Sequence, residues 1–280
     1  MRFSRKLWGL FLNAEASTTG VLERILEARR VVVERRKLAA PEANLRYSVK
    51  HAAPARDFAA ALERDGLNII AELKKASPSR GILRQQFEPG LLAKELERGG
   101  AAALSVLTEE DFFQGTLTDL LEAHKSVTIP VLRKDFIFDP WQVWEARSSD
   151  ADSFLLIAAI LSTEQLGQLI RIGRDLGMEP LVEIHSPEEL GRALDAGARI
   201  LGVNNRDLRT FEVRMETSFE LIELIPDGWI AVSESGLRMH EDLSRLRDAG
   251  YDAFLVGEHF MRANSPGQAL AELLHPGGAP

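Results

Sequence analysis

Residues Asp195–Val203 read DAGARILGV. A helix-like segment ends in Ala-Gly, a small residue follows, and a short apolar run begins at once. The pattern returns as DAGYDAFLVG at Asp248–Gly257 and as RGGAAALSV at Arg98–Val106. Glycine in this place suits a left-handed helix C-cap, because it has no Cβ to clash there. One unit, a helix stopped by glycine and followed by a buried strand, is therefore used repeatedly along the chain.

Working outward from these three sites, the same kind of apolar run starts at eight places. They are NIIAEL from Asn68, ALSVLT from Ala103, PVLRKD from Pro130, SFLLIA from Ser153, EPLVEIH from Glu179, RILGVNN from Arg199, WIAVSES from Trp229 and AFLVGE from Ala253. Their starts lie 20 to 35 residues apart, the length of one strand–helix repeat. Continuous apolar runs, rather than alternation, mark strands buried on both faces. Between them, Ser186-Pro187 with Glu189, Ser162 with Gln165, and Ser265-Pro266 read as helix starts. Eight such units, with polar residues at most strand ends rather than at one switch point, predict the α/β class and a closed (β/α)8 barrel, not an open doubly wound sheet.

Before the first strand, Val21, Leu22, Ile25, Leu26, Val32 and Val33 fall at helical spacing. Leu38–Pro54 reads as a connection, and Arg56–Gly66 as a second short helix. The organisation expected is an N-terminal helical extension over residues 18–66 and a barrel over 67–280. Residues 1–17 are left unassigned, with disorder as the expectation.

Composition limits the function. With 45% hydrophobic and 27% charged residues in 280, the chain can bury a large core. A net charge of −8 argues against a general nucleic-acid binder, yet leaves room for a small anion held by a local basic cluster. The absence of cysteine removes disulfides, a thiolate nucleophile and Cys-based metal sites, and the six histidines lack metal-ligand spacing. The N-terminal MRFSRKLWGLFLNAEAS has a basic start, but its apolar run Leu7–Leu12 is too short for a secretory signal or a membrane span. The location expected is the cytoplasm, with no membrane partner.

Barrel chemistry sits at the C-terminal ends of the strands. Those ends carry Glu72 and Lys74; Arg133, Lys134 and Asp135; Glu183; Asn204, Asn205 and Arg206; Ser233, Glu234, Ser235 and Gly236; and Gly257. Residues two apart share a face, so Glu72 goes with Lys74, Lys134 with Phe136, and Asn204 with Arg206. Charges of both signs crowded into a partly dry pocket are costly unless paired or used, and they shift one another's proton affinity. Gly236 and Gly257 follow the last two strands, where barrels often hold a phosphate on backbone N–H groups. Phe112 and Phe113 stand at the mouth and are placed to wall an aromatic substrate. Glu109-Glu110-Asp111 reads as a solvated loop, and Trp141 and Trp144 as packing a helix on the barrel wall. His185 reads as a loop histidine satisfied locally, with a place in the site as the alternative.

The ordered motifs IIAELKKASPSRG, SVLTEEDFFQG, PVLRKDFIFDPWQV, LVEIH, LGVNNRDLRTF, VSESGL and LVGEHFM resemble the indole-3-glycerol-phosphate synthase family of tryptophan biosynthesis, over about Val21 to Leu274. The resemblance implies a carboxy-lyase that closes 1-(2-carboxyphenylamino)-1-deoxyribulose 5-phosphate to indole-3-glycerol phosphate, losing carbon dioxide and water. It implies Lys134 as general acid at the keto oxygen and Glu183 as the carboxylate of the dehydration, supported by Asn204. Lys74 resembles the family's second lysine, at the phosphate, and Glu72 the carboxylate that tunes these groups. Ser77 and Arg206 match the positions holding the anthranilate carboxylate. Phe113, Phe136 and Pro78 match the apolar pocket for the aryl ring. Glu234 and Ser235 match the site motif, with Gly236 and Gly257 at the phosphate. No metal or organic cofactor is implied, and the partner is a small anionic substrate taken up by a monomer or weak oligomer.

A lysine acid works best with its proton affinity drawn toward neutrality, and Arg133 and Lys74 are the neighbouring cations expected to do this. Glu258 departs from the Ser or Thr common in the family; a carboxylate there repels a phosphate unless it turns away, leaving only the backbone to contribute. The rival readings are another phosphosugar barrel enzyme or a non-catalytic phosphoribosyl-ligand-binding barrel. A phosphoribosylanthranilate isomerase uses a cysteine acid, which this chain lacks. Binding alone does not require Lys134, Glu183, Glu72 and Lys74 together.

Overall fold

In a computed structural model that describes residues 20–277, every apolar run becomes a strand of one parallel sheet. The strands are β1 (Asn68–Leu73), β2 (Ala103–Leu107), β3 (Val131–Lys134), β4 (Ser153–Ile157), β5 (Leu181–Ile184), β6 (Ile200–Asn204), β7 (Ile230–Glu234) and β8 (Ala253–Val256). Each pairs with its neighbours in the chain, and β8 returns to β1 from Asn68↔Ala253 to Ala71↔Val256, closing the barrel. The (β/α)8 reading is correct.

The two-residue period of a strand sorts the side chains. On β1, Ile69, Ala71 and Leu73 face the surrounding helices, while Ile70 faces the interior. On β7, Ala231 faces out and Ile230 and Val232 face in. Ala103, Leu132, Leu155, Leu181 and Ile200 complete the interior, which is a packed core and not a pore. Charged groups appear inside at the last inward position of a strand, at the mouth, while the uncharged Asn68, Ser105 and Ser153 share the inward parity lower in the barrel.

The extension is three helices, α1 (Val21–Ala39), α2 (Glu42–Lys50) and α3 (Phe58–Leu62). The expected connection over Leu38–Pro54 is thus corrected: it contains α2. That helix escapes a reading of spacing because it buries one residue, Leu45, and its N-cap, Pro41, makes no side-chain cap bond. Its order comes from Leu45 packing beside Val33 and Trp141, and from the Arg46 guanidinium lying 4.1 Å from the Trp144 ring centroid. The two tryptophans therefore meet the extension rather than the barrel wall, and Trp141 Nε1 donates to the Ala40 carbonyl at 2.9 Å. At the base, Asn68 Nδ2 donates to the Leu62 and Arg64 carbonyls at 2.8 Å, seating α3 under the barrel.

The remaining helices follow the strands: α4 (Pro89–Arg98), α5 (Leu117–Ser126), α6 (Pro140–Ser148), α7 (Thr163–Asp175), α8 (Pro187–Asp195), α9 (Glu216–Ile222), α10 (His240–Ala249), α11 (Glu258–Arg262) and α12 (Pro266–Leu274). Ser162 and Gln165 cap α7 reciprocally, as expected. Ser186 accepts the Glu189 N–H, but the Glu189 carboxylate takes the His185 N–H instead of returning to the cap. Ser265 makes no side-chain cap bond. Gly100, Gly197 and Gly250 have φ of +102°, +85° and +117°, the left-handed stops that the repeated motif required. Among the described residues, no helix is long and apolar enough to cross a membrane. The reading of residues 1–17 lies outside the described residues.

Strand parity also places Arg133 and Asp135 on the outer face, under α1 and α6. Asp135 pairs with Arg29 at 2.5 Å and with Arg133 at 3.0 Å, Arg133 pairs with Glu145 at 2.8 Å, and Arg36 reaches Glu145 at 3.1 Å and also Glu110. Burial by itself would raise the Asp135 carboxyl, but Arg133 and Arg29 outweigh it and hold its proton affinity below the ordinary carboxylate range. Its contribution to stability is therefore present above that range and is lost as pH falls through the depressed value. Asp135→Ala leaves two buried guanidiniums short of an anion and is expected to cost about 3–5 kcal/mol of unfolding free energy. Urea denaturation at pH 7 measures it, and a loss below about 1 kcal/mol would place this network with solvated pairs.

Candidate active site

Strands β1, β3, β5 and β7 each end their inward row with a charged group: Glu72, Lys134, Glu183 and Glu234. Alternate strands of such a barrel contribute side chains to one layer, so these four converge. Lys134 Nζ donates to Glu183 Oε2 at 3.0 Å and to Glu234 Oε2 at 2.9 Å. Lys74, two residues past Glu72, forms an ion pair with it. Two positions make room for this layer. A Cβ on Gly202 would collide with the Glu234 carboxylate, and one on Gly257 would collide with Glu72.

All fourteen residues assigned to the site from the sequence line one cavity of about 520 Å³ at the mouth. Glu72, Lys74, Lys134, Glu183, Asn204 and Glu234 form its floor; Ser77 and Pro78 come from the loop after β1, where Ala76–Ser77 and Gly81–Ile82 pair as a two-stranded flap. Phe113 and Phe136 line it together, with ring centroids 6.2 Å apart. Asn204 Oδ1 accepts the Arg206 N–H at 3.0 Å, fixing the turn that carries Arg206. Ser235 and Gly236 both have positive φ, +68° and +85°, and Asn205 Nδ2 donates to the Ser235 carbonyl at 3.2 Å. A serine held there is strained backbone maintained by its surroundings.

Other positions differ from the sequence reading. Arg133 points away from Lys134 into the outer network, so it is not a cation lowering the lysine's proton affinity. Burial alone would lower the Lys134 ammonium, but Glu234, Glu183 and Glu72 outweigh it and hold its proton more tightly than an ordinary lysine does. Glu109 is buried, not solvated, and accepts the N–H groups of Asp111, Phe112 and Phe113 at 3.0, 2.8 and 3.0 Å. It thereby folds the turn that delivers Phe113. Glu110 pairs with Arg36. Glu258 does not turn away: it lines the cavity, 3.1 Å from Arg262, 3.7 Å from Arg80 and 3.9 Å from Arg206, its charge offset by three guanidiniums. His185 is not satisfied, since its Nε2 is buried without a hydrogen-bond partner. Leu22 and Ile25 of α1 also line the cavity, a contribution of the extension that helical spacing alone does not reveal.

The charge balance of the layer sets its protonation. One ammonium serves both Glu183 and Glu234. For Glu183, burial raises the carboxyl, but Lys134 and then His185 overcome it and hold it below the ordinary range. For Glu234, burial dominates over Lys134, Glu183 adds repulsion, and the carboxyl is pushed up to about 7. Its Oε1 has no partner in the buried site. The arrangement thus holds an ammonium, an ionised carboxylate and a carboxyl poised near neutrality in one apolar-walled cavity.

The indole-3-glycerol phosphate synthase family profile matches residues 22–273. An indole-3-glycerol phosphate synthase of Carboxydothermus hydrogenoformans is 45% identical over 261 residues, covering 90% of this chain and 99% of that one. One from Laribacter hongkongensis is 45% identical over 258 residues, covering 90% and 98%. Among solved structures, an N-acetylmannosamine-6-phosphate 2-epimerase from Clostridium perfringens is similar at TM-score 0.58 and 15% identity, over 78% of this chain and 96% of that one. That likeness is one of fold.

A carboxyl pushed up to about 7 is directly observable. Carbon-13 spectra of glutamate-labelled protein are expected to show one side-chain carboxyl titrating with a midpoint near that value, absent in Glu234→Gln. If every carboxyl titrated in the ordinary range, near 4.3, this assignment would fail.

Proposed function

The chain belongs to the indole-3-glycerol phosphate synthase family, and on that premise we propose that Lys134 and Glu183 close the indole ring as general acid and general base. The observation that carries this reading is the Lys134 ammonium, 3.0 Å from the Glu183 carboxylate in a cavity walled by Phe113 and Phe136. An acid and a base in contact, beside an apolar wall for an aryl ring, suit a reaction that both delivers and removes protons.

The substrate 1-(2-carboxyphenylamino)-1-deoxyribulose 5-phosphate presents two anions and an aryl ring. Phe113, Phe136 and Pro78 take the ring, with Leu22 and Ile25 closing over it. Ser77 and Arg206 hold the benzoate carboxylate, and Lys74 with the backbone around Ser235, Gly236 and Gly257 takes the phosphate. Held so, the ring carbon bearing the carboxylate attacks the keto carbon, and Lys134 gives its proton to the keto oxygen. Carbon dioxide leaves with the ring regaining its aromatic electrons. Glu183, supported by Asn204, then takes a proton from the adjacent methylene carbon as the hydroxyl departs as water. Lys134 or Lys74 supplies that hydroxyl's proton.

The tight grip of Glu183 and Glu234 on Lys134 opposes proton donation, so the acid step gains when the keto oxygen displaces a carboxylate contact or when Glu234 holds a proton. Glu72 keeps Lys74 in place. Positioning supplies a large part of the acceleration. Acid, base and anion-holding groups account for every step, so this mechanism calls on no cofactor. The same reading has the reaction run in the cytoplasm on a small anionic partner.

The proton balance is informative. The keto oxygen takes two protons before leaving as water, and Glu183 receives one. Each turnover therefore consumes one proton from solvent, matching the loss of carbon dioxide from a carboxylate.

Growth of indole fluorescence with this substrate tests the reading. Lys134→Met is expected to lower kcat by about 10²–10⁴-fold while ligand affinity changes little, and unaltered turnover would remove Lys134 from the acid role. Arg206→Ala is expected to raise KM more than it lowers kcat; the reverse pattern would make Arg206 part of the chemistry. A folded parent protein that binds the substrate without emission would favour a non-catalytic binding barrel.

A further inference from the structure

We infer that His185 acts through Glu183 to supply the solvent proton that each turnover consumes, an inference that rests on the synthase reading above. His185 lies two residues beyond Glu183, at the end of β5, and therefore on the same side of the chain. Its Nε2 is 3.6 Å from Glu183 Oε1 and is buried without a hydrogen-bond partner. Its Nδ1 is 3.2 Å from Glu189 Oε2, and that same oxygen accepts the His185 backbone N–H at 2.7 Å. One carboxylate thus holds both the main chain and the ring, and the ring's far edge is aimed at Glu183.

Buried polar atoms are normally hydrogen-bonded. A histidine serving only to close the turn would be satisfied at Glu189, and its Nε2 would be free to reach water. Instead a continuous row runs from Glu189 in the first turn of α8 through His185 and Glu183 to Lys134, whose Nζ is 3.0 Å from the second oxygen of Glu183. His185 does not line the cavity, so it touches the reaction only through Glu183.

The charged groups facing the ring are Glu183 on its own strand, Glu189 on α8 and Glu234 on β7. Burial lowers the imidazolium, but Glu189, Glu183 and Glu234 outweigh it and hold the ring's proton more tightly than an ordinary histidine does. In the step itself the Nε2–H bond breaks, its electron pair stays on the ring, and an O–H bond forms on Glu183. Glu183 passes the proton to the amine of Lys134, restoring the acid. After product leaves, water entering the emptied cavity protonates Glu183, which lines it, and Glu183 returns that proton to Nε2, so no oxidant or further reactant is needed.

The test is the pH dependence of kcat with 1-(2-carboxyphenylamino)-1-deoxyribulose 5-phosphate for the parent, His185→Gln and Glu189→Gln, with thermal melts confirming folding. The parent is expected to lose kcat as pH rises through a midpoint above about 6.5, the ordinary histidine value. His185→Gln is expected to lose that alkaline limb, with kcat about tenfold lower at neutral pH, part of the ordinary 10²–10⁴-fold effect of proton transfer. Its KM should stay within about twofold, and added imidazole should restore part of the rate. Glu189→Gln, which removes a stabilising charge, should move the limb to lower pH. A His185→Gln enzyme that keeps the parent's kcat and alkaline limb overturns the inference. So does a uniform loss with the limb intact and no response to imidazole, which is the mark of a packing role. A parent enzyme that binds this substrate without turning it over sinks the synthase reading itself, and the inference with it.

Discussion

Two carboxylates share one ammonium at the mouth of the barrel, and much of the site is arranged around that shortage of positive charge. Lys134 lies within hydrogen-bond distance of both Glu183 and Glu234, so one of the two must be satisfied in another way. Glu183 stays ionised with Lys134 and His185 beside it, and Glu234 is left with a buried, unpartnered oxygen and a raised proton affinity. An electrostatic arrangement of this kind is unfavourable for stability when empty. It is useful where protons must be delivered to one atom and withdrawn from another a few ångströms away.

Barrel closure is what permits the crowding. Four odd-numbered strands bring Glu72, Lys134, Glu183 and Glu234 into a single layer above an interior without charged groups. The smallest residues nearby, Gly202 and Gly257, yield their side-chain space to Glu234 and Glu72. Gly257, expected from its position to let a phosphate approach the backbone, thus has a second duty inside the charged layer.

The outer face carries a separate ionic network with a different consequence. Arg133 and Asp135 flank Lys134 in sequence, yet strand parity turns them outward against Arg29, Arg36 and Glu145. These pairs fasten α1 to β3, and α1 lends Leu22 and Ile25 to the cavity wall. The residues that fix the extension are therefore immediate neighbours of the residue proposed as the acid. The extension forms part of the site, just as α3 forms part of the barrel's base through Asn68.

The periodic strand runs, the glycine stops and the charged strand ends were all legible from the chain alone, because each is a local property: period two, a left-handed cap, a polar residue closing an apolar run. They determined the barrel and put Glu72, Lys134, Glu183, Asn204 and Glu234 at its mouth, whereas Ser77 and Pro78 were singled out only by the resemblance to a family. Glu109 escaped notice because three backbone N–H groups hold it, and backbone donors leave no mark on a residue string. The helix α2 escaped because its order comes from Trp141 and Trp144, about a hundred residues away in sequence. The partner of each charge was likewise decided only in three dimensions. Arg133 and Lys134 are adjacent and both cationic, but one faces Asp135 and Glu145 outside while the other faces Glu183 and Glu234 inside. Proton affinity depends on burial and on charges a few ångströms away, and it is barrel closure that brings β3, β5 and β7 to that distance.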